Sequence, residues 1–147
     1  MNSSTPAAIR DSGDSPRKPW WRRWFGNRSE RAAAQFLKRL GYRVVVRNFV
    51  CRVGELDLVA FDGTVVVFVE VRSTEAGNLE KTAASVDAEK QRRLSRTALY
   101  FLQQRRLLDR PARFDVLAIS WPPKSSDPRI VHIRHAFEAA GRFQMDS

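Results

Sequence analysis

Glu55-Leu56-Asp57-Leu58-Val59-Ala60-Phe61, then Asp62-Gly63, then Thr64-Val65-Val66-Val67-Phe68-Val69-Glu70-Val71-Arg72, is the stretch on which the fold turns. Two apolar runs rich in β-branched residues flank an Asp-Gly pair. Such a pair between strand-like runs is a strong hairpin signal, because both central positions of the turn take positive φ. A two-residue loop at Asp62-Gly63 predicts Phe61 opposite Thr64, Asp57 opposite Phe68 and Glu55 opposite Glu70. Side chains alternate along a strand, so Glu55, Asp57, Phe68, Glu70 and Arg72 share one face. Three carboxylates then meet on one patch. Like charges facing each other destabilise a hairpin, so something must offset them. A divalent cation would do so, since hard oxygen ligands suit Mg²⁺ or Mn²⁺; salt bridges to Arg72 or Arg52 are the other means. The bland alternative is a sheet face turned to solvent. Against it, the second run is apolar on both faces up to Val69, as in a buried central strand, and a carboxylate and a guanidinium at its end are costly to desolvate without partners.

Working outward, Ala33, Phe36, Leu37 and Leu40 repeat at helical spacing, which predicts a helix over Ser29–Leu40 stopped by Gly41. Glu30 falls on the face of Ala34 and Leu37, aimed at the sheet from the first turn; the alternative role is a contribution to the helix dipole. Tyr42–Val50 reads as a strand, and Gly54 as a bend or bulge before the hairpin. Ser73–Val86 reads as a polar loop. Asp87 is placed to cap a helix running to about Leu107 with the stripe Leu94, Ala98, Phe101 and Leu102. Lys90 sits in its first turn beside that stripe, within reach of the sheet edge. Arg92 and Arg96 point away, toward a phosphate backbone or simply toward solvent. Phe114–Trp121 and Arg129–His135 are two further strands, and Phe137–Ala140 is placed in a short helix. The order α-β-β-β-α-β-β predicts an α/β fold, a mixed central sheet flanked by helices.

The chain has 147 residues, enough for one domain: a tail over 1–27, a domain over 28–140 and a C-terminal tail over 141–147. It carries 26 Lys and Arg against 16 Asp and Glu, a net charge of +10. That excess concentrates polyanions, nucleic acid first and an anionic membrane surface second. Arg92, Arg96, Arg105 and Arg106 are the expected nucleic-acid contacts. Residues 1–19 have the composition of a disordered segment. Trp20-Trp21-Arg22-Arg23-Trp24-Phe25 interleaves rings with arginine, suited to stacking on bases, to a membrane interface, or to packing on the domain. Cys51 is the single cysteine, so no internal disulfide or two-cysteine zinc site forms, and a reducing, cytoplasmic compartment is expected. No apolar run approaches the ~18–20 residues of a membrane span.

Several motifs together resemble the YraN-like family of uncharacterised bacterial proteins. They are Glu30 with its Ala-rich helix, Gly41-Tyr42, Arg47-Asn48, Gly54-Glu55-Leu56-Asp57-Leu58-Val59-Ala60 and Asp62-Gly63. Val67-Phe68-Val69-Glu70-Val71-Arg72, Val86 with Lys90, Arg93-Leu94, Arg113-Phe114-Asp115-Val116 and His135-Ala136-Phe137 complete the set. The resemblance covers about Gly26 to Phe137. That family is similar in fold to Holliday-junction resolvases and other PD-(D/E)XK, restriction-endonuclease-like nucleases. The resemblance implies Asp57 as metal-binding aspartate, Glu70 as the acid of the (D/E)XK element, Glu30 as a helix-borne carboxylate completing the site, and Lys90 as an auxiliary cation near the scissile phosphate. Arg72 stands where that element usually ends in Lys. It keeps the charge but is no base at neutral pH.

The expected site is therefore Glu30, Asp57, Glu70, Arg72 and Lys90 for catalysis, with Asp57, Glu70 and Glu55 holding Mg²⁺ or Mn²⁺. The expected function is a metal-dependent DNA endonuclease acting on branched or damaged DNA. Its rival is a catalytically weak DNA-binding module of the same fold, and a non-nucleic-acid interaction protein is the third reading. Junction resolvases of this fold are often dimers, so a homodimer enters on the resemblance alone.

Overall fold

The computed structural model describes residues 20–74 and 78–139, with side chains described from Arg28 onward. The expected disorder of residues 1–19 and the C-terminal tail lie outside them. The elements are α1 (Trp20–Arg39), β1 (Arg43–Val50), β2 (Glu55–Asp62), β3 (Val65–Thr74), α2 (Leu79–Ala83), α3 (Ala88–Gln104), β4 (Ala112–Ser120) and β5 (Arg129–Phe137). One five-stranded sheet runs in the order β1-β2-β3-β4-β5. The β1–β2, β2–β3 and β4–β5 pairs are antiparallel, and β3–β4 is parallel. A parallel pair needs a long crossover, here made by α2 and α3. The expected α/β, restriction-endonuclease-like architecture is what the chain adopts.

β3 is the central strand, and Val66–Glu70 is buried along its whole length. Its two faces explain the layers. Val67 and Val69 join Leu58, Ala60, Leu117 and Ile119 under Ala33, Ala34 and Leu37 of α1. Val66 and Phe68 join Val59, Phe114, Val116 and Ala118 under Leu94, Ala98, Phe101 and Leu102 of α3. Phe101 meets Phe49 and Phe68 edge-on, at 5.1 and 5.9 Å between ring centres. Removing so large a buried ring typically costs about 3–5 kcal/mol.

Four expectations need correction. Gly63, at φ +62, forms the turn with Thr64, and Asp62 pairs with Val65. Glycine at the first central position matches a type II′ turn, so the register moves by two residues and Phe61 faces Val66 rather than Thr64. A shift of two preserves the faces. α1 starts at Trp20 instead of Ser29, so the Trp/Arg cluster lies on helical backbone; its side chains are outside the described residues. The stretch expected as a polar loop holds α2, capped by Asn78 accepting from Lys81 N–H, because Leu79, Ala83 and Val86 all bury on the α3 side. Phe137 belongs to β5, not to a helix: it pairs with Phe114 and stacks on its ring at 4.7 Å. The stop at Gly41 (φ +98) and the Asp87 cap of α3, accepting from Lys90 N–H at 2.8 Å, are as expected. Among the described residues no helix is long and apolar enough to cross a membrane.

Candidate active site

The carboxylates gather at the C-terminal end of β3. The β2–β3 ladder ends at Leu58 opposite Val69, so Asp57 and Glu70 are the next residues on each strand. The corrected register sets Asp57, rather than Glu55, beside Glu70. Asp57 Oδ2 accepts from Val71 N–H at 2.8 Å, which ties the aspartate to the strand that carries Glu70. The two carboxyl groups lie close enough for Asp57 to raise the Glu70 carboxyl. Glu70 is only 9% exposed. Burial first, and the Asp57 charge second, push its carboxyl up from 4.5 to about 7, against the pull of Lys90 and Arg72. Lys90 Nζ from α3 lies 3.5 Å from Glu70 Oε2, and Arg72 Nε lies 3.7 Å from the same oxygen.

An open pocket of about 430 Å³ lies over this pair. Glu30, Glu55, Asp57, Glu70 and Lys90, all expected from the sequence, line it together. Glu30 is buried, and the start of α1 is held in place next to it: Ser29 Oγ meets Ser73 Oγ at 2.6 Å and accepts from Trp121 Nε1 at 3.0 Å. Glu55 is exposed on the rim, paired with Val50 of β1. Arg72 is not on the pocket wall. Its Nε is buried beside Glu70 with no hydrogen bond among the described residues. Two cations without an expected phosphate role do line the pocket, Arg52 from the β1–β2 turn and Arg93 from α3. Arg92 and Arg96 are exposed on α3 beyond the lining residues. Arg105 and Arg106 cap the far end of α3, roughly 22 Å from Lys90 at 1.5 Å per residue.

A second carboxylate, Asp115, is fully buried on β4. It accepts from Arg113 Nε at 3.0 Å, from His132 at 2.8 Å and from His135 N–H at 3.0 Å. Burial works against its charge, but the hydrogen bonds from His132, Arg113 and His135 outweigh it and hold Asp115 below the ordinary range. Because an ionised carboxylate only accepts, His132 Nε2 carries the proton. Arg113 also donates to Asp62 at 3.2 Å and Tyr42 Oη at 2.6 Å. His135 takes φ +52 at an irregularity in β5, where pairing jumps from Phe114–Phe137 to Val116–Ile133. No spacing in the sequence marks this network, since Asp115 and His132 sit on different strands.

The site residues suit a divalent cation in a particular way. Among the described residues no three His, Cys, Asp or Glu side chains gather as a ready-made metal cluster. Asp57 and Glu70 do, as a pair, and Mg²⁺ is typically held by one or two carboxylates with water and substrate phosphate completing its shell. Burial and the neighbouring Asp57 charge raise the Glu70 carboxyl to about 7, which marks negative charge left without full compensation, and that is what such a cation supplies.

The sequence model of the uncharacterised protein family UPF0102 matches residues 29–119. A UPF0102 protein of Geobacter sulfurreducens is 46% identical over 115 residues, spanning 78% of this chain and 89% of that protein. Another, of Pseudomonas aeruginosa, is 44% identical over 115 residues, spanning 78% and 92%. A third, of Syntrophus aciditrophicus, is 42% identical over 115 residues, spanning 78% and 89%.

Proposed function

We propose that this chain, which belongs to the uncharacterised protein family UPF0102, binds nucleic acid and hydrolyses its phosphodiester bonds with a divalent metal. The observation that carries this reading is the pair of half-buried Asp57 and buried Glu70, one residue from each of two neighbouring strands, lining a pocket with Glu30 and Lys90. The net charge of +10 supports a polyanionic substrate. Asp57 and Glu70 are the metal ligands in this reading, with Glu30 and Glu55 close by, and Mg²⁺ or Mn²⁺ would there polarise a phosphoryl oxygen and acidify water. The chain's own groups do the rest. Val71 N–H fixes Asp57, and Arg72 braces Glu70 from outside the pocket. Lys90 brings an ammonium to the pair and offsets charge developing on the phosphate.

A second reading, DNA binding with little turnover, is favoured by Arg72, since a guanidinium supplies no neutral amine. Lys90, 3.5 Å from Glu70, favours the first: it brings a lysine to the acid from α3 instead of β3. A cleavage assay on linear, nicked, flapped and four-way DNA, with Mg²⁺ or Mn²⁺ against EDTA, separates them. Metal-dependent cleavage that Lys90→Ala suppresses supports hydrolysis. Tight binding with no cleavage of any of these DNAs supports the binding module.

A further inference from the structure

The pocket holds two arginines to which no phosphate contact has been assigned. Arg52 and Arg93 are exposed, line the pocket from opposite elements, and make no ion pair among the described residues. Arg72 is spent on Glu70 outside the pocket wall, so a phosphate entering the pocket meets Arg52, Lys90 and Arg93. Lys90 is already paired with Glu70. The two guanidiniums are the unengaged donors, and a guanidinium fork matches phosphate oxygens in pairs.

Their placement is not left to loose side chains alone. Cys51 N–H donates to Gly54 O at 2.9 Å, closing the turn that carries Arg52. That turn lies against α3 at Gly54, where a Cβ would come 2.5 Å from Thr97 Oγ1. Thr97 is itself buried, and its hydroxyl donates to Arg93 O at 2.9 Å. One contact seam therefore joins the backbone of both arginines.

We propose that Arg52 and Arg93 form a clamp for a backbone phosphate of the bound nucleic acid, set in register by the Gly54–Thr97 seam. The clamp rests on the nucleic-acid reading above and adds to it which residues hold the phosphate. It does not require turnover. A phosphate held there lies in the pocket that Asp57 and Glu70 also line.

The test is equilibrium binding by fluorescence anisotropy in EDTA, so that metal chemistry plays no part. The probe is whichever of a labelled linear duplex and a four-way junction the native protein binds more tightly, titrated from low to physiological salt. Each phosphate contact contributes about 0.9 to the log–log salt slope on duplex DNA. Arg52→Gln and Arg93→Gln should each lower the slope by about that amount and weaken binding about tenfold. Lys38→Gln, on the exposed end of α1, should change neither. Gly54→Ala should reproduce the loss seen in Arg52→Gln. Gly54→Ala with Thr97→Ala should restore binding, because removing the hydroxyl leaves the new methyl an ordinary 3.7 Å from the remaining Cβ. Native-like slopes in both arginine variants overturn the clamp and leave DNA binding standing. Native-like binding by Gly54→Ala overturns the seam. A native protein with no salt-dependent DNA binding overturns both the clamp and the function on which it rests.

Discussion

Two buried carboxylates, Glu70 and Asp115, lie on adjacent strands and behave in opposite ways. Glu70 is one residue past Val69, which pairs directly with Asp115. Asp115 receives Arg113, His132 and a backbone N–H, and its carboxyl is held low. Glu70 receives a second carboxylate and two cations at 3.5 and 3.7 Å, and its carboxyl is pushed up to about 7. A buried charge that is fully hydrogen-bonded locks a structure, whereas one left with a like-charged neighbour waits for a ligand. The first ties β4 to β5, to Tyr42 and to the hairpin at Asp62. The second opens into a pocket.

The largest expected effect breaks the lock. Asp115→Ala leaves the His132 ring and the His135 N–H without their acceptor in the interior and leaves Arg113 only Asp62 and Tyr42, and losing one member of a buried ion pair typically costs about 3–5 kcal/mol. Urea unfolding should show that loss, with Mn²⁺ binding intact in whatever fraction remains folded. A variant as stable as the native protein would mean that the network is not what holds β5.

Next comes Glu70→Gln, which should act with the opposite sign. With the folded-state carboxyl raised from 4.5 to about 7, the folded chain binds the extra proton between those values. The contribution of Glu70 to the stability of the metal-free protein is thus full below pH 4.5 and lost as pH rises through 7. The loss is up to roughly 3 kcal/mol. Glu70→Gln should remove that slope and stabilise the metal-free protein at neutral pH, while abolishing metal binding. Thermal unfolding in EDTA across pH 4–8 reads it directly. A native profile that is flat or rises over this range contradicts the assignment.

The smallest effect lies on the outer face of α3. Arg92→Gln with Arg96→Gln should lower the DNA salt slope by about 1.8 while shifting stability by no more than about 0.5 kcal/mol. Anisotropy titrations check the first and thermal melts the second. An unchanged slope would confine nucleic-acid contact to the pocket.

The contrast also explains what was legible in the sequence. The strands, the turn at Gly63, the Asp87 cap and the shared face of Asp57 and Glu70 follow from alternation, helical spacing and local turn chemistry; Glu30 and Lys90 joined the site through the family resemblance. The hairpin register was displaced by two residues because Asp62-Gly63 reads equally well as a I′ turn, and only packing selects Gly63-Thr64. Parity protected the reading of the faces from that displacement. Arg72 lies where alternation puts it, and its guanidinium meets Glu70 at 3.7 Å, the salt bridge that the facing carboxylates called for. α2 was hidden because its apolar positions face a core made by distant segments. The Asp115 network, Arg52 and Arg93 depend wholly on which strands and helices become neighbours.

Calorimetric titration of Mn²⁺ into the native protein and into Asp57→Ala tests the central claim most directly. The native protein should bind, more weakly below pH 7 as the proton competes for Glu70, and Asp57→Ala should not bind. If Asp57→Ala takes up Mn²⁺ as well as the native chain does, the carboxylate pair is not a metal site and the nuclease reading fails with it.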